Sequence, residues 1–218
     1  MRKNMLRVLK DTAVAFIESF SGQAATGDVT CSFSGSTFKA GDIGIMFLAS
    51  DDEDTSFGVT GWTNISENTA IGACQHDVWT RTMEGNETQA VTTTANLFTA
   101  GNMCVLFYRN AIEPTGSNIA VTTSESLDCP VSSISATQDV DYVLAASMSD
   151  SNTSVITAPP TGFTLRIDEQ YDPGSAEGKI YVSDKNDSAT GTVNPAAMAG
   201  TPAVGSGSHT LTIVLKQG

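Results

Sequence analysis

The chain writes nearly the same phrase twice, TGWTNI at Thr60–Ile65 and TGFTLRI at Thr161–Ile167. The surroundings repeat as well. GDIGIMFLASDDEDTS stands upstream of the first copy and VDYVLAASMSDSNTS upstream of the second. HDVWTRTMEGNETQAVTT and NMCVLFYRNA follow the first, and GKIYVSDKNDSATGTV and HTLTIVLKQG follow the second. Each half reads as buried strand, acidic loop, Gly-aromatic-Thr, strand, polar turn, strand. A period of about 100 residues is far longer than the 20–50 of solenoids and propellers. The repetition therefore predicts one domain, residues 12–218, made of two pseudo-symmetric halves at about 40–112 and 139–216.

The fold class follows from what fills those halves. With 40% hydrophobic and only 16% charged residues, the chain can bury a real core. Its abundant Gly, Ser, Thr and Asn suit short strands joined by polar turns. The continuous apolar runs IGIMFLA and MCVLFY fit strands buried on both faces. Four or so strands per half predict an all-β, jelly-roll-like β-sandwich of about eight strands. One or two more are expected over Thr12–Phe38. In each copy of the phrase the glycine permits a tight turn. The aromatic after it, Trp62 or Phe163, then plugs the sandwich edge.

Alternation assigns faces. Aligning Val78 with Ile180, Trp79 with Tyr181 and Thr80 with Val182 puts Val78, Ile180 and Val182 on one face. Asp77, Trp79, Arg81, Lys179 and Tyr181 fall on the other, because successive side chains leave a strand on opposite sides. A face mixing charges with large aromatics is either covered by a loop or used as a contact surface. Both readings stand on sequence, and the second makes Trp79 and Tyr181 candidate partner-binding residues.

Charge excludes one class of partner. The net charge is -13, and binding a phosphate backbone needs clustered Lys and Arg, so no nucleic-acid partner is expected. Of eleven basic side chains, Arg2, Lys3, Arg7 and Lys10 lie in the first ten residues, which leaves seven to face 24 acidic ones. Residues 1–11 read as an N-terminal basic arm. Its Arg2, Lys3, Leu6, Arg7, Leu9 and Lys10 are candidate partner contacts. Asp11 and Glu18 interrupt any leader-like apolar stretch, whose longest clean run is TAVAFI. No segment reaches the roughly 20 apolar residues of a membrane-spanning helix. A soluble chain with no membrane partner, made in a reducing cytoplasm, is expected. There Cys31, Cys74, Cys104 and Cys129, which form no C-x-x-C pair, stay free thiols.

Reactive motifs are scarce. The acidic tip Asp51–Asp54 offers oxygens to Ca²⁺ but lacks the spacing of a calcium loop, and reads as a solvated loop. In the string CQHD, alternation sets Cys74 and His76 on one side and Asp77 on the other. The second histidine, His209, begins the last strand, and zinc takes four ligands. No metal or cofactor is expected. No G-x-S-x-G, H-E-x-x-H or Gly-rich phosphate loop occurs, and the chain is not expected to be an enzyme.

The succession GDIGIMFLAS, TGWTNI, HDVWTRTMEGNE and VLFYRNA resembles a pattern of jelly-roll virion proteins of tailed bacteriophages and of some secreted bacterial β-modules. It covers roughly residues 40–112, with a fainter echo over 139–216, and its motifs mark strands and turns. The resemblance implies a structural role in the virion, assembled in the host cytoplasm: a head decoration or cement protein, or a tail fibre or spike component. Its partners would be other virion proteins, the major capsid protein foremost, and copies of itself, with a trimer favoured. The competing expectation is a carbohydrate-binding, receptor-recognition module in which Trp79, Tyr181 or Trp62 stacks on sugar rings.

Overall fold

A computed structural model of the chain describes residues 13–50, 58–69, 75–87, 90–93, 101–123, 127–130, 135–136, 141–149, 155–171, 178–187, 191–201 and 208–218. The fold is all-β. Its first half contains β1 (Ala15–Ala24), β2 (Thr30–Ser32), β3 (Ile43–Ser50), β4 (Thr63–Thr69), β5 (Gln75–Thr82), β6 (Ala90–Thr92) and β7 (Gly101–Arg109). A 3₁₀ turn at Gly116–Asn118 leads to β8 (Ile119–Thr123), β9 (Ser135–Ala136), β10 (Asp141–Ser149) and β11 (Val155–Ala158). Then come β12 (Thr164–Tyr171), β13 (Gly178–Asp187), β14 (Gly191–Thr192), β15 (Ala199–Thr201) and β16 (Ser208–Leu215).

Ten of these strands make two five-stranded antiparallel sheets, ordered β1-β7-β3-β5-β4 and β12-β13-β10-β16-β8. Each sheet is drawn from one contiguous stretch of chain. β3 and β10 are their middle strands, and every described residue of β3 is buried, as its unbroken apolar run requires. The sheets face each other with β13 over β3 and β7, and β12 over β7 and β1. At that edge the Ser19 hydroxyl donates to the Arg166 carbonyl at 3.3 Å, and the Gln23 amide donates to the Gln170 carbonyl at 3.3 Å.

The core between the sheets takes alternate residues of both: Ile43, Ile45 and Phe47 from β3, Leu144, Ala146 and Met148 from β10, with Val78, Ile180 and Val182 beside them. The intervening residues point outward, yet they are buried too. Met46, Leu48, Trp79 and Phe107 lie under Cys31, Phe33, Trp62 and Val91 on the first sheet. Val143, Ala145, Tyr181 and Val214 lie under Cys129, Ile156, Phe163 and Met198 on the second. The molecule is thus a sandwich with a chain-made cover on each outer face. β1 and β2 are the strands expected over Thr12–Phe38, and β8 with the short β6, β9, β11, β14 and β15 lies beyond those expected.

The doubled phrase forms two like turns. The Trp62 N–H donates to the Val59 carbonyl at 3.1 Å, and the Phe163 N–H donates to the Pro160 carbonyl at 3.0 Å. Gly61 has φ +80° and Gly162 φ +86°, the third position of a type II turn, which only residues tolerant of positive φ can fill. Each turn delivers its aromatic onto the outer face of the sheet to which it belongs, Trp62 on the first and Phe163 on the second. A bulge follows each, between Asn64 and Ser66 on β4 and between Leu165 and Ile167 on β12.

The start of each middle strand is tied to its neighbour's end by an ion pair. The Arg109 guanidinium donates to both carboxylate oxygens of Asp42, at 3.0 and 2.8 Å. The Lys216 ammonium donates to Asp141 at 3.1 Å, where the Gln217 N–H reaches the other oxygen at 3.1 Å.

Candidate functional site

The residues singled out on sequence fall into three groups. Arg2, Lys3, Leu6, Arg7, Leu9 and Lys10 of the arm lie outside the described residues; so do Cys74 and the acidic tip Asp51–Asp54. Trp79 and Tyr181 lie on the outer faces, as alternation predicts, but they are 7% and 1% exposed. Of the two readings left open for that face, cover by the chain itself is what the fold shows. Neither ring is presented to a partner on the surface. The third group is the string around His76, where His76 is inward and Asp77 outward as expected. Among the described residues no group of three or more His, Cys, Asp or Glu is placed to hold a metal ion.

One groove does open beside a large aromatic. It encloses about 350 Å³ between the first sheet's cover and the end of β5, and Trp62, Arg81, Met83, Glu87 and Thr92 are among its lining residues. The turn before β4 places Trp62, whose ring tip packs on Gly44: a Cβ there would lie 2.7 Å from Trp62 Cη2. Arg81 leaves β5 on the outer face and lies against Gly61, where a Cβ would come within 3.1 Å of Nη1. Its Nη2 is 3.7 Å from Glu87. Burial pushes the Glu87 carboxyl up, but the N–H groups of Glu84 and Gly85 and the Arg81 charge outweigh it and hold the pKa below the usual value. The result is a carboxylate–guanidinium pair beside an indole. Such a pair can hydrogen-bond a hydroxylated ligand.

Two polar clusters lie between the sheets, and sequence reading missed both. At one end the Tyr108 hydroxyl donates to Asp184 at 2.9 Å, and Arg166 Nε donates to the other carboxylate oxygen at 2.9 Å. Arg166 also lies 4.0 Å from the centre of the Phe16 ring. Burial raises the Asp184 pKa above its usual value despite both donors. At the other end His76 Nδ1 contacts His209 Nδ1. The rings stand perpendicular with centroids 4.7 Å apart, and both are fully buried. No local signal could have revealed these pairs, since 76 residues separate Tyr108 from Asp184 and 133 separate the histidines.

Comparison with protein-family models, with curated proteins and with solved structures finds no match to this chain. No helix among the described residues is long and apolar enough to cross a membrane.

Proposed function

We propose that the chain is a structural protein of a tailed-phage virion, a decoration or cement protein that binds the head surface, with the major capsid protein and copies of itself as partners. The observation that carries this reading is the burial of Trp79 and Tyr181 under the chain's own cover. It sets Trp79 and Tyr181 beneath the cover, of which Trp62, 8% exposed, is itself a part, so that none of the three aromatics is an open stacking platform and attachment is left to the surface, the edges and the basic arm. An acidic body with a basic arm has the potential to be steered onto a complementary surface. The resemblance of GDIGIMFLAS, TGWTNI and VLFYRNA to virion proteins supports the same class.

The architecture we propose for this role is a repeat of one five-stranded unit. The orders β1-β7-β3-β5-β4 and β8-β16-β10-β13-β12 match strand for strand, as do the turns at Gly61 and Gly162 and the bulges after them. In this alignment Thr63, opposite Thr80, corresponds to Thr164, opposite Asp184. Trp79 then matches Ser183, two residues from the Tyr181 chosen on sequence. Because each half keeps its strands in one sheet, the proposed architecture is a repeated sandwich without the alternating strand order of a jelly roll.

The arm tests the reading. Burying each Leu or Val is worth about 1.5–3 kcal/mol, against about 0–1 kcal/mol for an exposed ion pair, so Leu6 and Leu9 dominate the grip. Deleting residues 1–10 leaves a folded sandwich that no longer joins particles, and Leu6→Asp with Leu9→Asp does the same. Incorporation of the deleted chain at normal copy number would refute arm-mediated docking.

A second reading has one observation in its favour: Trp62 lines the groove with Arg81 and Glu87, an arrangement suited to a sugar in a receptor-recognition module. Binding to glycans that is lost in Arg81→Ala would favour it.

A further inference from the structure

His76 and His209 are the chain's two histidines, and folding brings both to one contact between the sheets. That contact, Nδ1 to Nδ1, works only if one nitrogen carries hydrogen and the other a lone pair. The acceptor ring is therefore neutral with its hydrogen on Nε2, and in the neutral pair the donor ring is the opposite tautomer. The donor ring is left with a bare Nε2 and the acceptor ring with an Nε2–H, and both Nε2 atoms are buried without a partner. One added proton places a cation in a closed apolar layer. Two set N–H against N–H at the contact.

The strand ladders show what surrounds the pair. In the first sheet His76 lies level with Ala49 of β3, then Asn102 of β7, then Gln23 of β1, and on its other side with Asn68 of β4. In the second, His209 lies level with Met148 of β10, Ile180 of β13 and Glu169 of β12, and on its other side with Thr123 of β8. Ala49, Met148 and Ile180 belong to the apolar layer between the sheets. Asn102 spends its amide N–H groups on the Glu169 and Gly178 carbonyls. Among the described side chains, the titratable groups on these rows are the two imidazoles and Glu169, which stands three strands from His209 at the sheet edge. The Cys104 thiol lies two residues along β7. Asp77 and Lys179, next in sequence to the rows, leave their strands on the opposite, outer faces. No carboxylate within the rows is set beside the pair to stabilise an imidazolium.

We propose that the His76–His209 contact is an acid-sensitive latch between the two sheets: neutral, it lets them close at this end, and protonated, it drives them apart there. Burial, and for His76 also the adjoining His209, holds the His76 pKa well below 6.5, and burial brings His209 down to about 4. The unfolded chain takes up these protons near the ordinary value and the closed sandwich does not. The contribution is therefore complete above about pH 6.5 and is lost as pH falls toward 4, by about tenfold in the unfolding constant per histidine per pH unit.

The test compares denaturant unfolding of the full chain and of a His76→Leu, His209→Leu variant between pH 7 and 4.5. Below about pH 6 the native chain should lose stability more steeply than the variant, by about 100-fold per pH unit in the ratio of unfolding constants. Parallel pH curves would overturn the latch. Should the variant not fold, ring titration of the native chain by NMR decides: both histidines neutral at pH 5.5 supports the proposal, and titration near 6.5 overturns it.

Discussion

The Tyr108 hydroxyl of the first sheet donates to Asp184 of the second at 2.9 Å. It is a direct polar bond across the core of the sandwich. Arg166 holds the other carboxylate oxygen, and both Tyr108 and Asp184 are fully buried. Removing one partner of such a bond strands the other without water. Tyr108→Phe should cost about 1–3 kcal/mol, read as a lower denaturant midpoint with an unchanged slope. Losing that donor raises the Asp184 pKa further, so the penalty belongs to the ionised carboxylate. It should be largest at neutral pH and shrink as pH falls through the folded-state pKa of Asp184. A penalty independent of pH would mean that Asp184 is not the group affected.

The glycines make a graded prediction. Gly162→Ala meets no atom within 4 Å but must keep φ +86°, so it costs only the strain of a left-handed residue, about 1–2 kcal/mol. Gly61→Ala adds a contact 3.1 Å from Arg81, a side chain able to shift. Gly44→Ala has an extended backbone but drives its Cβ to 2.7 Å from the Trp62 ring, an overpacking that costs about 1–3 kcal/mol. Gly44→Ala should therefore be rescued by Trp62→Leu, whereas Gly162→Ala should not. Unfolding midpoints of the three single variants and of Gly44→Ala and Gly162→Ala each combined with Trp62→Leu check this.

Cys31, Cys104 and Cys129 are free and buried. Burial pushes the Cys31 and Cys129 thiols up to about 12, and Cys104 far above its usual value. Since the thiolate is the reactive species, all three should resist a thiol reagent at pH 7.5 in the native chain and react in denaturant. Reductant should leave the melting temperature unchanged. Rapid native labelling of any of the three, found by mass spectrometry, would contradict their placement.

Where the sequence was legible, the controlling physics was local. A glycine at positive φ and the period-two alternation of a strand are both written in neighbouring residues. The turns at Gly61 and Gly162 and the shared facing of Val78, Ile180 and Val182 could therefore be read directly. Where it was not, the cause was distance along the chain. Trp79 and Tyr181 show the limit: alternation assigned their face, but whether a loop or a partner covers it depends on residues such as Phe33 and Phe163, tens of residues away or on another strand. The histidine contact joins two sheets and has no motif at all. Its only trace in sequence is that His76 and Val78 share the inward parity of β5.

The central claim, that this chain is a structural component of the virion head, is tested most directly by counting it in purified particles produced from the genome that encodes it. Quantitative gel densitometry or mass spectrometry against the major capsid protein gives the ratio. The account predicts copies on the order of hundreds per particle, retained through density-gradient purification, as repeated docking on a many-copy lattice requires. A handful of copies per particle would move the chain to a fibre or spike and favour the Trp62–Arg81 groove as its working surface. Absence from purified particles would contradict the assignment to the virion.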